Sequence, residues 1–273
     1  MNDAALLWRY VEAWRSSVAD VVALLRDLPA EDWDLPTDLP GWDVRAVASH
    51  LAHLEAELAG LPQQDAEVDE AGHIKNLMGR YTEAGVVGRR QWDPEQIIDE
   101  LETAAQIRSG ELEAHPPTDA DAMPDRTPGG IKWAWGRMLS NRALDVWMHE
   151  QDIRRAVGRP GDLDTLGAEH VAGQILTSFP YVVGKAAGAP PGSTVVLRIT
   201  GDQEAELGVE VGADGRARPA PELPDDTSVS LLMDFEAAVV LSGGRRSPDE
   251  VEVAVTGDPV LARAILAGMA ITP

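Results

Sequence analysis

The chain has 273 residues, 44% of them hydrophobic, with 46 acidic against 23 basic side chains for a formal net charge of -23 and no cysteine. That length allows one large or two ordinary domains with a real core, while the charge repels a phosphate backbone or an anionic membrane. Without cysteine there are no disulfides, no Cys-ligated zinc and no protein thiol nucleophile, so any thiol chemistry must bring its sulfur from outside.

In chain order, Leu7, Val11, Trp14, Val18, Val21, Val22 and Leu25 recur at spacings of three and four, which predicts an amphipathic helix ended by Pro29. A Pro- and Asp-rich loop from Leu35 to Trp42 leads to Asp43, a suitable N-cap for a second helix marked by Val44, Val47, Leu51, Leu54 and Leu58 and closed by Gly60. Two more helices are expected from about Ala66 to Gln91 and from Pro94 to about His115. A Pro- and Gly-rich loop to Gly130 separates them from a strongly helical segment from about Lys132 to Val157. Helical pattern continues to about Ala186, where Gly188-Ala189-Pro190-Pro191-Gly192 breaks it.

Beyond that break, Thr194 to Thr200, Ala205 to Val211, Ser228 to Leu232 and Val251 to Thr256 read as strands, with short helices at Asp234 to Leu241 and Pro259 to Met269. The expected organisation is α plus α+β: a helical bundle over residues 1–187 and a small α+β domain over 188–273. The acidic start Met1-Asn2-Asp3 carries no secretory pattern, and the weakly polar run from His170 to Lys185 is too short to span a bilayer. The cytoplasm is therefore the expected location, with neither membrane nor nucleic acid as partner.

Chemistry concentrates in two places. His50 sits on the border of the second helix's apolar stripe, and His149 and Asp152 lie four and seven residues past Asp145, about 40° and 20° from it around their helix. A carboxylate and an imidazole one turn apart, faced by an imidazole from another helix, make a three-ligand site for a divalent metal, zinc or similar, with a position left open. Spacing alone equally suits a solvated helix face. Asp152 is either an acceptor that orients an imidazole or a partner of Arg154 or Arg155. His53 reads as surface or as a residue behind the site, and His73, His115 and His170 take no role. The tryptophans, Trp42 among them, read as packing.

Two blocks sharpen this. Pro40-Gly41-Trp42-Asp43-Val44-Arg45 running into Ala48-Ser49-His50-Leu51-Ala52-His53, and Arg142-Ala143-Leu144-Asp145-Val146-Trp147-Met148-His149-Glu150-Gln151-Asp152, resemble the two metal segments of the mycothiol-dependent maleylpyruvate isomerase family. Gly244-Arg245, Val255 to Pro259 and Ile271-Thr272-Pro273 are similar to that family's tail. The resemblance implies a DinB-like four-helix bundle followed by a sterol-carrier-protein-like α+β domain. It implies a metal held by His50, Asp145 and His149, mycothiol as the thiol cofactor and Arg245 as the catalytic arginine that holds an anionic substrate, with Arg246 a competitor for that role. The expected activity is thiol transfer to a small electrophile, or cis-trans isomerisation of an unsaturated acid through a thiol adduct. Isomerases of the family carry Glu where this chain has Asp145. The alternative is a non-catalytic module that binds metal or an apolar ligand.

Overall fold

The structure, a computed structural model, describes residues 2–271 apart from Asp65 and Asp225; the tail residues Thr272 and Pro273 lie outside the described residues. Two compact units, 1–170 and 171–273, make up the chain.

The first unit is built on α1 (Asp3–Arg26), α2 (Val44–Leu58), α3 (Leu77–Arg89), α4 (Pro94–Ala114) and α5 (Trp135–Ala156). Four of them close a ring: α1 packs on α4 and α5, and α2 packs on the same two, while α3 leans on α2 from outside. The apolar stripe expected of α1 is the face it buries, with Leu7, Val11, Trp14 and Val21 fully enclosed. Asn2 starts this helix by accepting from the Ala5 N–H at 2.9 Å.

α2 departs from the simple stripe. It is buried nearly all round, because Ala46, Ala48, Ala52 and Ala56 let neighbours approach and α3 covers the side that would otherwise meet water. Asp43 caps it, accepting from the Ala46 N–H at 2.8 Å. The turn before it is pinned by a bridge between Pro36 and Asp43 and by the Thr37 hydroxyl donating to the Trp42 carbonyl at 2.8 Å. Gly41 has φ +84 there, and a Cβ on it would lie 2.6 Å from His73 Nδ1, so that turn requires glycine twice over.

The helix expected from Ala66 starts only at Leu77. Residues 66–76 offer no apolar stripe to bury, and the helix begins where Asn76 can cap it, accepting from the Gly79 N–H at 2.8 Å.

The second unit is a five-stranded mixed sheet, β1 (Thr194–Thr200), β2 (Ala205–Val211), β3 (Ala217–Pro219), β4 (Val229–Asp234) and β5 (Ala254–Gly257), in the order β3-β2-β1-β4-β5. β1 and β4 are parallel, with Leu197 opposite Leu231, and the other pairings are antiparallel. Helices α7 (Phe235–Ser242) and α8 (Pro259–Ala267) follow β4 and β5 and pack on the sheet, capped by Asp234 and Asp258. The short β3 escaped the sequence reading because three residues carry no alternation. The fourth expected strand starts three residues late, after a 3-10 turn at Pro248–Glu250. Val195, Val196 and Leu197 are fully enclosed, so the apolar strands are packed core.

Helix α6 (Leu166–Tyr181) and the wider π-type turn after it, Val182–Ala186, carry the pattern to the expected break, yet the units divide earlier, at 170/171 rather than at 187/188. The reason is packing: a Cβ on Gly184 would lie 2.8 Å from Ala217 on β3, so this helical tail is part of the second unit's core. No helix among the described residues is long and apolar enough to cross a membrane.

Candidate metal centre

His50 comes from the middle of α2, and Asp145 and His149 come from one face of α5. One ligand atom from each lies within 4.8 Å of the others. His50 Nε2 is 3.4 Å from Asp145 Oδ2, His149 Nε2 is 3.7 Å from Asp145 Oδ1, and the two imidazole rings meet edge to face at 4.8 Å. Donor atoms about 2.0–2.1 Å from a tetrahedral metal sit roughly 3.3–3.5 Å apart, so only small side-chain adjustments separate this triad from a coordination sphere. Both ring nitrogens of His50 are buried without a hydrogen-bond partner, an arrangement that is costly unless something else uses the lone pair.

The surroundings fix the donor set. His149 Nδ1 is 2.9 Å from Asp152 Oδ2, and Arg155 donates to Asp152 Oδ1 at 2.6 Å while also reaching Asp38 at 3.0 Å. Both alternatives for Asp152 are therefore realised at once: it orients the imidazole and pairs with Arg155. An imidazole that gives its Nδ1 proton to a carboxylate presents Nε2 as the lone pair, which is how metal-bound histidines are usually held.

Behind Asp145 lies a buried ion network absent from the sequence reading. Arg142 Nη1 donates to Asp145 Oδ2 at 2.8 Å, and its other edge donates to Glu55 Oε1 at 2.9 and 3.1 Å. Glu55, fully enclosed, also accepts from Trp14 Nε1 at 3.0 Å and pairs closely with Arg108. Two guanidiniums thus balance two carboxylates. Burial would raise Asp145, but Arg142, then His149 and His50, outweigh it and hold the carboxyl well below its usual range. Burial lowers His50, keeping its imidazole neutral and able to donate a lone pair. Arg142 occupies Oδ2, so Oδ1, on the His149 side, is the freer oxygen of Asp145.

Trp42, read as packing, is part of the site. Its indole lies 5.0 Å from the His50 ring and 6.1 Å from that of His149. The indole N–H donates to Glu83 at 2.8 Å, and His73 meets the same carboxylate at 3.0 Å, which gives His73 a supporting role. His53 is buried rather than at the surface, packed 5.0 Å from the Tyr81 ring. Arg245 belongs to the second unit, buried just beyond α7, with Nη1 donating to the Gly243 carbonyl at 2.5 Å; Arg246 is exposed.

A His-Asp-His cluster with both imidazoles buried, on two helices of a four-helix bundle and followed by a small mixed-sheet unit, defines a class of helical proteins with a metal-competent core. Residues 14–154 match the model of the mycothiol maleylpyruvate isomerase N-terminal domain, and the chain belongs to that family. Two uncharacterized proteins from two strains of Mycobacterium tuberculosis are each 26% identical to it over 203 residues, 70% of this chain and 73% of theirs. A crystal structure of the mycothiol-dependent maleylpyruvate isomerase superposes with a TM-score of 0.55 at 16% identity, covering 92% of each chain. A histidine-to-alanine mutant of that enzyme gives 0.54 at 16% identity, over 91% of this chain and 92% of its own. The fold is shared with these structures through both units.

Proposed function

We propose that the protein is a mycothiol-dependent enzyme holding one divalent cation, zinc by preference, through His50, Asp145 and His149. The observation that carries this reading is the convergence of those three side chains, one with neither ring nitrogen hydrogen-bonded, in a chain of this family that contains no cysteine. A cation bound there would favour the thiolate of an incoming thiol near neutral pH. The protein's own groups do the rest: His149, oriented by Asp152, and neutral His50 supply two donors, Arg142 steadies Asp145, and the Trp42 indole forms an apolar wall against both rings.

The reaction is thiol addition to a small electrophilic carbon. The sulfur forms the new S–C bond and the thiol proton passes to solvent. If a leaving group departs with its electron pair, the outcome is S-transfer. If the adduct rotates and expels the sulfur again, the outcome is cis-trans isomerisation of an unsaturated acid. Transfer is the favoured outcome, because Asp145 is a methylene shorter than the glutamate that the isomerase pattern leads one to expect and already shares Oδ2 with Arg142. Arg245 is proposed to hold an anionic substrate, and Arg245→Gln should then raise KM for acidic electrophiles while metal content stays unchanged.

Metal analysis of the purified protein beside His50→Ala and His149→Ala tests the core of this reading. The parent should carry near-stoichiometric metal and the variants little. Equal content in all three, or consumption of mycothiol with a chlorinated dinitrobenzene that survives chelation, overturns it.

A further inference from the structure

A second group of acids meets round α5 from the triad. Glu150 lies about 100–140° round the helix from His149 and Asp145. One oxygen each from Asp20 on α1, Glu150, and Asp162 in the loop after α5 fall within 4.8 Å of one another. That loop is pinned in place: the Asp162 carbonyl accepts from the Trp147 indole N–H and from the Thr165 hydroxyl, both at 3.1 Å, and Gln151 donates to the Gly161 carbonyl at 3.2 Å.

Glu150 is fully enclosed. Arg154 stands among these acids and uses one oxygen of each of two: its Nε donates to Glu150 Oε1 at 2.7 Å, and its Nη2 pairs closely with Asp162 Oδ2. The second oxygen of Glu150, Oε2, is buried with no hydrogen-bond partner, and Asp20 has a long contact from the Ser16 hydroxyl at 3.4 Å. Burial, then the Asp162 carboxylate beside it, pushes the Glu150 carboxyl up to about 8, and burial followed by the Asp162 charge raises Asp20. A buried carboxylate oxygen without a partner is costly, and either a proton or a cation relieves it. Three carboxylates against one guanidinium leave two negative charges, which one divalent cation cancels and one proton does not.

We propose that Asp20, Glu150 and Asp162 hold a hard divalent cation of the calcium type, at a second metal site that shares no residue with the triad. Its donors are all carboxylate oxygens, which suit calcium, whereas the imidazoles of the triad suit zinc. Oxygens bound to calcium at about 2.3–2.6 Å stand roughly 3.3–3.7 Å apart at right angles, so small rotations of the half-buried Asp20 and Asp162 close the group on an ion. Solvent fills the remaining positions on their open side. The ion ties α1 to the end of α5 and to the loop that follows.

The test is calorimetric titration of the full-length protein with calcium chloride, stoichiometric zinc being present for the triad. Potassium chloride at about 0.15 M screens diffuse attraction to the chain's net charge of -23. One calcium should bind saturably with a Kd below about 1 mM and raise the thermal midpoint, while bound zinc stays unchanged. Asp20→Asn and Asp162→Asn should each weaken calcium about tenfold or more. Glu95→Gln, which removes an exposed acid from α4, should leave it as in the parent. A cooperative thermal transition shows that each variant folds, and half-buried Asp20→Asn decides the matter should Asp162→Asn not fold. Absence of saturable binding below about 1 mM overturns the proposal and assigns Glu150 a proton instead. So does an affinity equal in Asp20→Asn and the parent, which places the ion elsewhere on the acidic surface, or zinc released in step with calcium uptake, which places it on the triad. Zinc content is read separately, so failure of this site leaves the proposed function standing.

Discussion

The two units bury different things. In the sheet unit the buried polar side chains among the described residues are Ser193, Ser242 and Arg245, and everything else enclosed is hydrocarbon. The helical unit encloses Glu55, Arg89, Arg108, Arg142, Glu150 and Asp152 together with His50, His53 and His149. Burying a charge is expensive even when it is paired, and apolar residues of similar volume usually serve stability as well or better. The helical unit therefore carries charge for what it does, whereas the sheet unit encloses one charged side chain, Arg245, in an otherwise apolar core.

The sharpest way to break that comparison is Glu55→Ala. It strands Arg108 and Arg142 in the interior and should cost about 4 kcal/mol in urea unfolding. Replacing Glu55, Arg108 and Arg142 together by Leu or Met should instead leave stability nearly unchanged while metal binding falls, because Asp145 loses its support. A triple variant as unstable as Glu55→Ala would mean that the network is there for stability after all. In the sheet unit, Leu197→Ala should cost about 3 kcal/mol by cavity formation alone, with no change in metal content.

A smaller effect appears in pH dependence. Burial, and then the Arg89 charge, push His53 down to about 4 from 6.5, so the unfolded chain takes up a proton there before the folded one. The stability His53 contributes is complete above pH 6.5 and is lost as pH falls toward 4, by up to about 3 kcal/mol. Unfolding midpoints of the parent should drop more steeply through that window than those of His53→Gln; parallel curves would show that the ring is solvated. Mildest in stability is Asp152→Asn, which keeps the side chain's shape and removes the charge behind His149; it should weaken metal binding about 10–100-fold and cost less in unfolding than Glu55→Ala, because Arg155 keeps Asp38 as a partner.

Much of this was legible in the chain because it rests on local rules. Helical period and caps located α1, α2, α4 and α5, and β-branched runs located β1 and β2 with the ends they have in the structure. Asp145 and His149 sit one turn apart, so any helix containing both aligns them whatever the rest of the chain does. His50 is singled out as the facing imidazole by its place on the border of the apolar stripe of α2, and the resemblance of the two blocks points to the same residue.

What the chain could not disclose was set by contacts between residues far apart in sequence. Glu55 and Arg142 are separated by 87 residues, and nothing in the pattern of either helix says that they meet. Trp42 looks like one more packing residue until the turn at Gly41 and the anchor from Glu83 lay it against two imidazoles. Residues 66–76 carry no apolar stripe and α3 starts only where Asn76 caps it, so average propensity for helix was not enough there. Period and capping are decided within a turn or two of helix. The charge balance around the triad exists only once α2, α4 and α5 have closed around it.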